Sequence, residues 1–184
     1  RVQRNFTTAN ALLVNSIVDF SSYCTSIVAM NETTVVHVRN LDFDFPKNMQ
    51  KLIYNQKFVR GGEVIASAPS IAGFYGVYTA LVPTKFSLSY NVRYSADSFK
   101  SKGGSNKGPS MLRSSTDIWK NLRLELDPEY MPFQNLLQDV VVSAQSYEEA
   151  VERLSSQKIN APGYVIVANP QLASPSEKYG QGVV

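Results

Sequence analysis

Cys24-Thr25-Ser26-Ile27-Val28-Ala29 is followed, after the polar turn Asn31-Glu32-Thr33, by Val35-Val36-His37-Val38-Arg39-Asn40-Leu41-Asp42-Phe43. Strand-forming apolar residues fill both halves and the connection is short, which predicts two consecutive strands over about 25–30 and 34–41. The chain's one cysteine is thereby presented beside an arginine and a carboxylate. A lone thiol is by itself an ordinary core residue. A thiol next to a cation that favours the sulfur anion, with an acid to hold a base, suits a nucleophile. Arg39 has a plainer reading as a structural ion pair with Asp42 or Asp44, and His37, alternating with Arg39, reads as packing or hydrogen bonding.

Working outward, Leu13, Ile17, Val18 and Phe20 behind Thr7-Thr8 predict a helix with an N-cap over residues 8–20. Lys51 to Val59 reads as a strand, and Arg60-Gly61-Gly62-Glu63 as a hairpin turn into Val64 to Ala68. Residues 71–82 are apolar and punctuated by glycine, and Phe86 to Arg93 alternates. Residues 100–110 are a basic insertion, read as a solvated loop, with anionic-lipid contact through Lys100, Lys102 and Lys107 as the alternative. Phe133, Leu136, Leu137, Val140 and Val141 form a helical stripe, Ser146 and Glu149 a capping box opening a second helix through Leu154, and 163–168 a final strand. Trp119, Phe74, Tyr75 and Tyr78 read as core aromatics, with the lining of an apolar acyl-chain groove as the alternative for some of them. Strands, a helical pair, then a strand point to an α+β fold with helices covering a sheet.

With 184 residues, 43% of them hydrophobic, the chain can bury one real core. A net charge of +3 is far below that of a dedicated nucleic-acid binder. The single cysteine excludes an intrachain disulfide. No Cys/His cluster, phosphate loop or basic-aromatic strip is present, so no metal, cofactor or nucleic acid is expected. Asn5 and Asn31 each open an Asn-x-Thr sequon, which suits a lysosomal or secreted protein. Beginning at Arg1 and stopping at Val183-Val184, just past a turn-rich stretch, the chain reads as part of a longer polypeptide.

The Cys-Thr-Ser-Ile-Val-Ala and His-x-Arg-Asn-Leu-Asp-Phe blocks at this spacing resemble the acid ceramidase and N-acylethanolamine acid amidase family of N-terminal-nucleophile hydrolases. Further blocks extend the resemblance over most of residues 20–170: Lys47 to Gly62, Ile71 to Gly76, Phe86 to Asn91, Ser146 to Ala150 and Ala161 to Tyr164. The resemblance implies a four-layer αββα sandwich. Residues 1–23 would be the end of a propeptide or α-subunit, and 24–184 the hydrolase domain without its C-terminal part. Autocleavage between Tyr23 and Cys24 would free an α-amine, of unperturbed pKa about 7.7–8.0, to serve as the base for its own thiol.

By the same resemblance Asp42 orients that amine, Arg39 sits beside the thiol, and Asn91 helps build the oxyanion site, where a donor is worth about 2.7–4 kcal/mol. The expected partners are a lipid amide substrate, the chain's own propeptide after cleavage and transiently a membrane surface. Val92 departs from the family, which usually carries an acid there, and the loss of that carboxylate is expected to unsettle the arginine nearby or to alter activation. A second oxyanion asparagine of the family falls beyond Val184. Two alternatives stay open: a choloylglycine or penicillin V acylase-like hydrolase, and a catalytically silent lipid-binding relative, which Val92 keeps in play.

Overall fold

The computed structural model describes residues 7–8, 23–30, 34–42, 47–93, 119–120, 123–124 and 126–170. The helix expected over 8–20, both sequons and the insertion at 100–110 lie outside them, Thr7 and Thr8 excepted.

β1 (Tyr23–Met30) and β2 (Val35–Asp42) pair antiparallel, with Cys24 opposite Leu41, Ser26 opposite Arg39 and Val28 opposite His37. Side chains alternate across a strand, so Cys24, Ser26, Val28, Val35, His37, Arg39 and Leu41 point to one half-buried face. The other face exposes Ile27, Val36 and Val38.

A second antiparallel sheet runs in the order β3-β4-β5-β6-β7, from β3 (Ile53–Arg60) through β4 (Glu63–Ile71), β5 (Thr79–Val82) and β6 (Phe86–Val92) to β7 (Gly163–Ala168). The turn between β3 and β4 uses Gly61 and Gly62 with φ of 59° and 88°. Both central residues of a two-residue hairpin turn that matches strand twist need such angles, and glycine takes them without a Cβ clash. The strand expected from Lys51 begins only at Ile53, because Lys47–Leu52 forms a 3-10 helix. That segment lacks the β-branched and aromatic residues that start at Ile53.

α1 (Phe133–Ser143) and α2 (Tyr147–Ser156) cover one face of this sheet. The expected stripe is the buried one: Phe133, Leu136, Leu137, Val140 and Val141 are at most 3% exposed. Each such side chain contributes about 1.5–3 kcal/mol by leaving water. Pro132 gives α1 no side-chain cap, and Asn160 Oδ1 instead accepts from Phe133 N at 3.0 Å. The capping box of α2 closes one residue early. Ser146 Oγ accepts from Glu149 N as expected, but the Glu149 carboxylate takes Gln145 N rather than Ser146 N. Phe74 and Tyr78 are core residues, whereas Trp119 is 69% and Tyr75 52% exposed, contrary to their reading as core.

β6 decides how the layers stack. Phe86, Leu88, Tyr90 and Val92 point toward the helices, with Tyr90 set edge-on against Phe133 at 4.7 Å between ring centroids. Ser87, Ser89 and Asn91 face the β1–β2 pair, to which Ser89 and Asn91 are bonded through Ser26. The described residues therefore form three layers, helices over a five-stranded sheet over a two-stranded sheet. This is an α+β arrangement of the kind found in N-terminal-nucleophile hydrolases.

Candidate active site

The space between the two sheets is polar. Stacked sheets normally interdigitate apolar side chains there, and a buried polar layer is tolerated only when it is hydrogen-bonded. Here β1 supplies Cys24 and Ser26, β2 supplies His37 and Arg39, β5 supplies Thr79, and β6 supplies Ser87, Ser89 and Asn91.

Arg39 ties the layers together. From β2 its Nη2 donates to Cys24 Sγ at 2.8 Å and to the Tyr90 carbonyl at 2.8 Å. Its Nη1 donates to the Tyr78 carbonyl and to Thr79 Oγ1, both at 3.2 Å. A planar fork with five fixed donors can span both sheets in this way, and a lysine cannot. Burial pushes the Arg39 pKa down, and the neighbouring thiol opposes that shift. Nε is buried without a hydrogen-bond partner among the described residues. The guanidinium thus places positive charge beside the thiol, where it favours the sulfur anion.

Asn91 accepts from Ser26 Oγ at 3.0 Å through Oδ1. Ser26 shares the inward face of β1 with Cys24, two residues away and so roughly 6.5–7 Å along the strand. The backbone of Asp42 pairs with Tyr23, next to Cys24; the Asp42 side chain lies outside what the structure describes. His37 bridges Ser87 and Ser89, with Nδ1 2.9 Å from Ser87 Oγ and Nε2 2.8 Å from Ser89 Oγ. Its pKa is lowered first by burial and then by the charge of Arg39.

Val92 does not belong to this site. It is 9% exposed and packs in the core on the helix side of β6, opposite Asn91. Strand alternation carries a side chain at this position away from Arg39, so the expected disturbance of the arginine has no geometric basis. Ser26, Ser87, Ser89 and Thr79 were not singled out from sequence. Their signal was the alternation in Phe86-Ser87-Leu88-Ser89-Tyr90-Asn91, whose polar face meets a second sheet rather than water.

A cavity of about 340 Å³ opens beside Arg39. Its walls include Leu41, Ile53, Pro69, Ile71 and Tyr78, with Ser70 and Thr79 as polar members. Among the described residues no group of His, Cys, Asp and Glu is placed to hold a metal ion, and no helix is long and apolar enough to cross a membrane.

No protein-family model matches the chain. It is 31% identical over 170 residues to an N-acylethanolamine-hydrolyzing acid amidase of Oryctolagus cuniculus, covering 91% of this chain and 42% of that protein. It is 27% identical to an acid ceramidase of Bos taurus, covering 87% of this chain and 40% of that one. A solved Caenorhabditis elegans N-acylethanolamine-hydrolyzing acid amidase ortholog superposes with a TM-score of 0.63 at 28% identity, over 79% of this chain and 55% of the other. The chain belongs to the acid amidase and acid ceramidase family. It spans about two fifths of the length of the curated family members it matches. Within this family fold, Cys24, Arg39 and Asn91 converge on the polar layer between the sheets.

Proposed function

We propose that this chain carries the nucleophile of an acid amidase that hydrolyses fatty-acyl amides, either N-acylethanolamines or ceramide. The observation that carries the reading is the Arg39–Cys24 contact at 2.8 Å beside a largely apolar cavity. A lipid tail needs an apolar slot and the amide carbonyl needs charge beside it; the two meet at Arg39.

In the proposed sequence the Tyr23–Cys24 peptide bond is first hydrolysed, giving Cys24 a free α-amine. Residues 1–23 then remain as the end of a separate, associated chain. The amine takes the thiol proton, and Sγ attacks the amide carbon, whose oxygen becomes an oxyanion facing Arg39 and Asn91. The carbon–nitrogen bond breaks as the leaving amine takes the proton. Water, deprotonated by the same α-amine, then cleaves the thioester and regenerates the thiol. Asp42 holds the amine in this scheme. Cleavage, a lysosomal setting, glycosylation at Asn5 or Asn31 and transient contact with a membrane all belong to the proposal. The silent-relative alternative rested on Val92, whose side chain packs on the helix side of β6, away from Arg39.

The test is hydrolysis of a long-chain acylethanolamide and a ceramide by the full-length protein, with peptide mapping after an acid quench. Fatty acid released through an acyl group attached to Cys24 supports the reading. Turnover in the Cys24→Ala protein, or none in the wild type, refutes it.

A further inference from the structure

Between the sheets runs a hydrogen-bond chain that the acyl-transfer steps leave unused. Ser26 Oγ donates to Asn91 Oδ1 at 3.0 Å, Ser89 Oγ donates to Ser26 Oγ at 2.8 Å, and His37 Nε2 lies 2.8 Å from Ser89 Oγ. A hydroxyl has one hydrogen. Ser26 spends its hydrogen on Asn91 and Ser89 spends its own on Ser26. Ser89 can then only accept from His37, which must carry its proton on Nε2. Nδ1, 2.9 Å from Ser87 Oγ, is left to accept from Ser87.

The amide of Asn91 is fixed at the far end. With Oδ1 engaged by Ser26, its NH₂ group has no partner among the described residues and is left to donate to a reacting oxygen. The reversed chain is also self-consistent. Asn91 would then donate its NH₂ to Ser26, Ser26 to Ser89 and Ser89 to Nε2, with His37 protonated on Nδ1. In that state Oδ1 faces the reaction, where an acceptor repels an oxyanion.

We propose that His37 is a positioning residue for the amidase reaction, setting through Ser89 and Ser26 which end of the Asn91 amide faces the substrate. This rests on the reading of Asn91 as an oxyanion donor. An imidazolium donates from both nitrogens, so protonated His37 permits only the productive polarity, whereas neutral His37 tolerates either. Among the described residues, the charged or titratable groups on the inward face of the β1–β2 pair besides His37 are Arg39 and Cys24, and β6 presents Ser87, Ser89 and Asn91 toward that face. Burial and Arg39 hold the imidazole neutral until the pH is acidic, so the relay favours turnover in acid.

The test uses full-length, processed enzyme labelled with ¹⁵N-histidine, the His37 resonance being identified by its loss in His37→Phe. The relay requires neutral His37 to populate both tautomers, Nε2–H with the productive amide and Nδ1–H with the reversed one. Ser89→Ala and His37→Phe should each lower kcat by up to about twofold, because losing the roughly fivefold bias of a single neutral hydrogen bond leaves the amide split between its two orientations, with KM unchanged. The double variant should be no worse than either single one. In the wild type kcat should rise as pH falls through the His37 ionisation, and in Ser89→Ala this rise should vanish. Asn91→Ala separates the two readings, with an expected loss of about 10²–10³-fold. If Asn91→Ala is crippled while Ser89→Ala keeps wild-type kcat and pH profile, or neutral His37 already carries its proton on Nε2 alone, the relay is refuted and the oxyanion role stands. If Asn91→Ala is fully active, or the enzyme cleaves no amide, both fall. Ser89→Ala decides the matter even where His37→Phe fails to fold.

Discussion

Gly163→Ala probes how the helix-side core supports the site on the other face of the sheet. A Cβ built on Gly163 would lie 2.2 Å from Tyr90 Cε2 and 2.4 Å from Phe133 Cε1. Opening 2.2 Å to an ordinary 3.4 Å contact displaces the Tyr90 ring edge, or β7 itself, by about 1.2 Å. Neither ring has room to move, since Tyr90 is 1% and Phe133 3% exposed and the two are packed edge to face. Overpacking of a dense core costs typically 1–3 kcal/mol, and two rigid rings place this case at the upper end, about 3 kcal/mol. At about 2–4 °C per kcal/mol for a domain of 150–250 residues, melting falls by about 6–12 °C.

The comparison that isolates the cause is Gly73→Ala. Gly73 has φ of 95° and open space around its position, so alanine there suffers backbone strain alone. That strain costs about 1–2 kcal/mol. Thermal unfolding of the full-length protein followed by circular dichroism reads both. Gly163→Ala should also lower activity, because the Tyr90 carbonyl accepts from Arg39 and Tyr90 precedes Asn91. Phe133→Leu in the Gly163→Ala background should recover part of the loss. A Gly163→Ala protein no less stable than Gly73→Ala refutes the packing account.

Arg39→Lys should reduce kcat/KM on the order of 10²-fold, because one ammonium cannot reach Cys24, Tyr90, Tyr78 and Thr79 together; steady-state kinetics with circular dichroism separates this from misfolding. Stability should fall as pH drops from about 6.5 toward the lower pKa of folded His37, since the unfolded imidazole takes its proton first. Above that window both states are neutral and the contribution is complete, so urea unfolding at several pH values should show a slope that His37→Phe removes. Ser70→Ala should raise stability by up to about 1 kcal/mol and lower KM for long acyl chains, because the buried Ser70 hydroxyl has no partner among the described residues and faces the cavity. A rise in KM would instead show that the hydroxyl binds substrate.

Much of this architecture was readable from local pattern. Period-two alternation and Gly61-Gly62 delimit β3 and β4, and the 3.6-residue stripe from Phe133 to Val141 marks the buried face of α1. These are local signals, decided by neighbours in sequence. The pairing of Cys24 with Arg39 was also readable, since both lie on consecutive strands. Less readable were features that depend on which layer a face meets. Ser87 and Ser89 alternate with apolar residues as an exposed strand would, yet they sit between sheets, and Ser89 is fully buried. Val92 follows Asn91 in sequence but points to the opposite side of the sheet. Trp119 is large and apolar, but its size alone does not determine whether it is covered. Spatial rather than sequential neighbours govern all three, and the relay from His37 to Asn91 joins residues 52 to 65 positions apart in the chain.

The central claim is that Cys24 acts with its own α-amine. It is tested most directly by intact mass and N-terminal sequencing of the full-length protein before and after acidic incubation. The account predicts a new chain beginning at Cys24, appearing together with amidase activity and absent from Cys24→Ala. Amidase activity in a protein whose Tyr23–Cys24 bond stays intact, or cleavage that persists in Cys24→Ala, would contradict it.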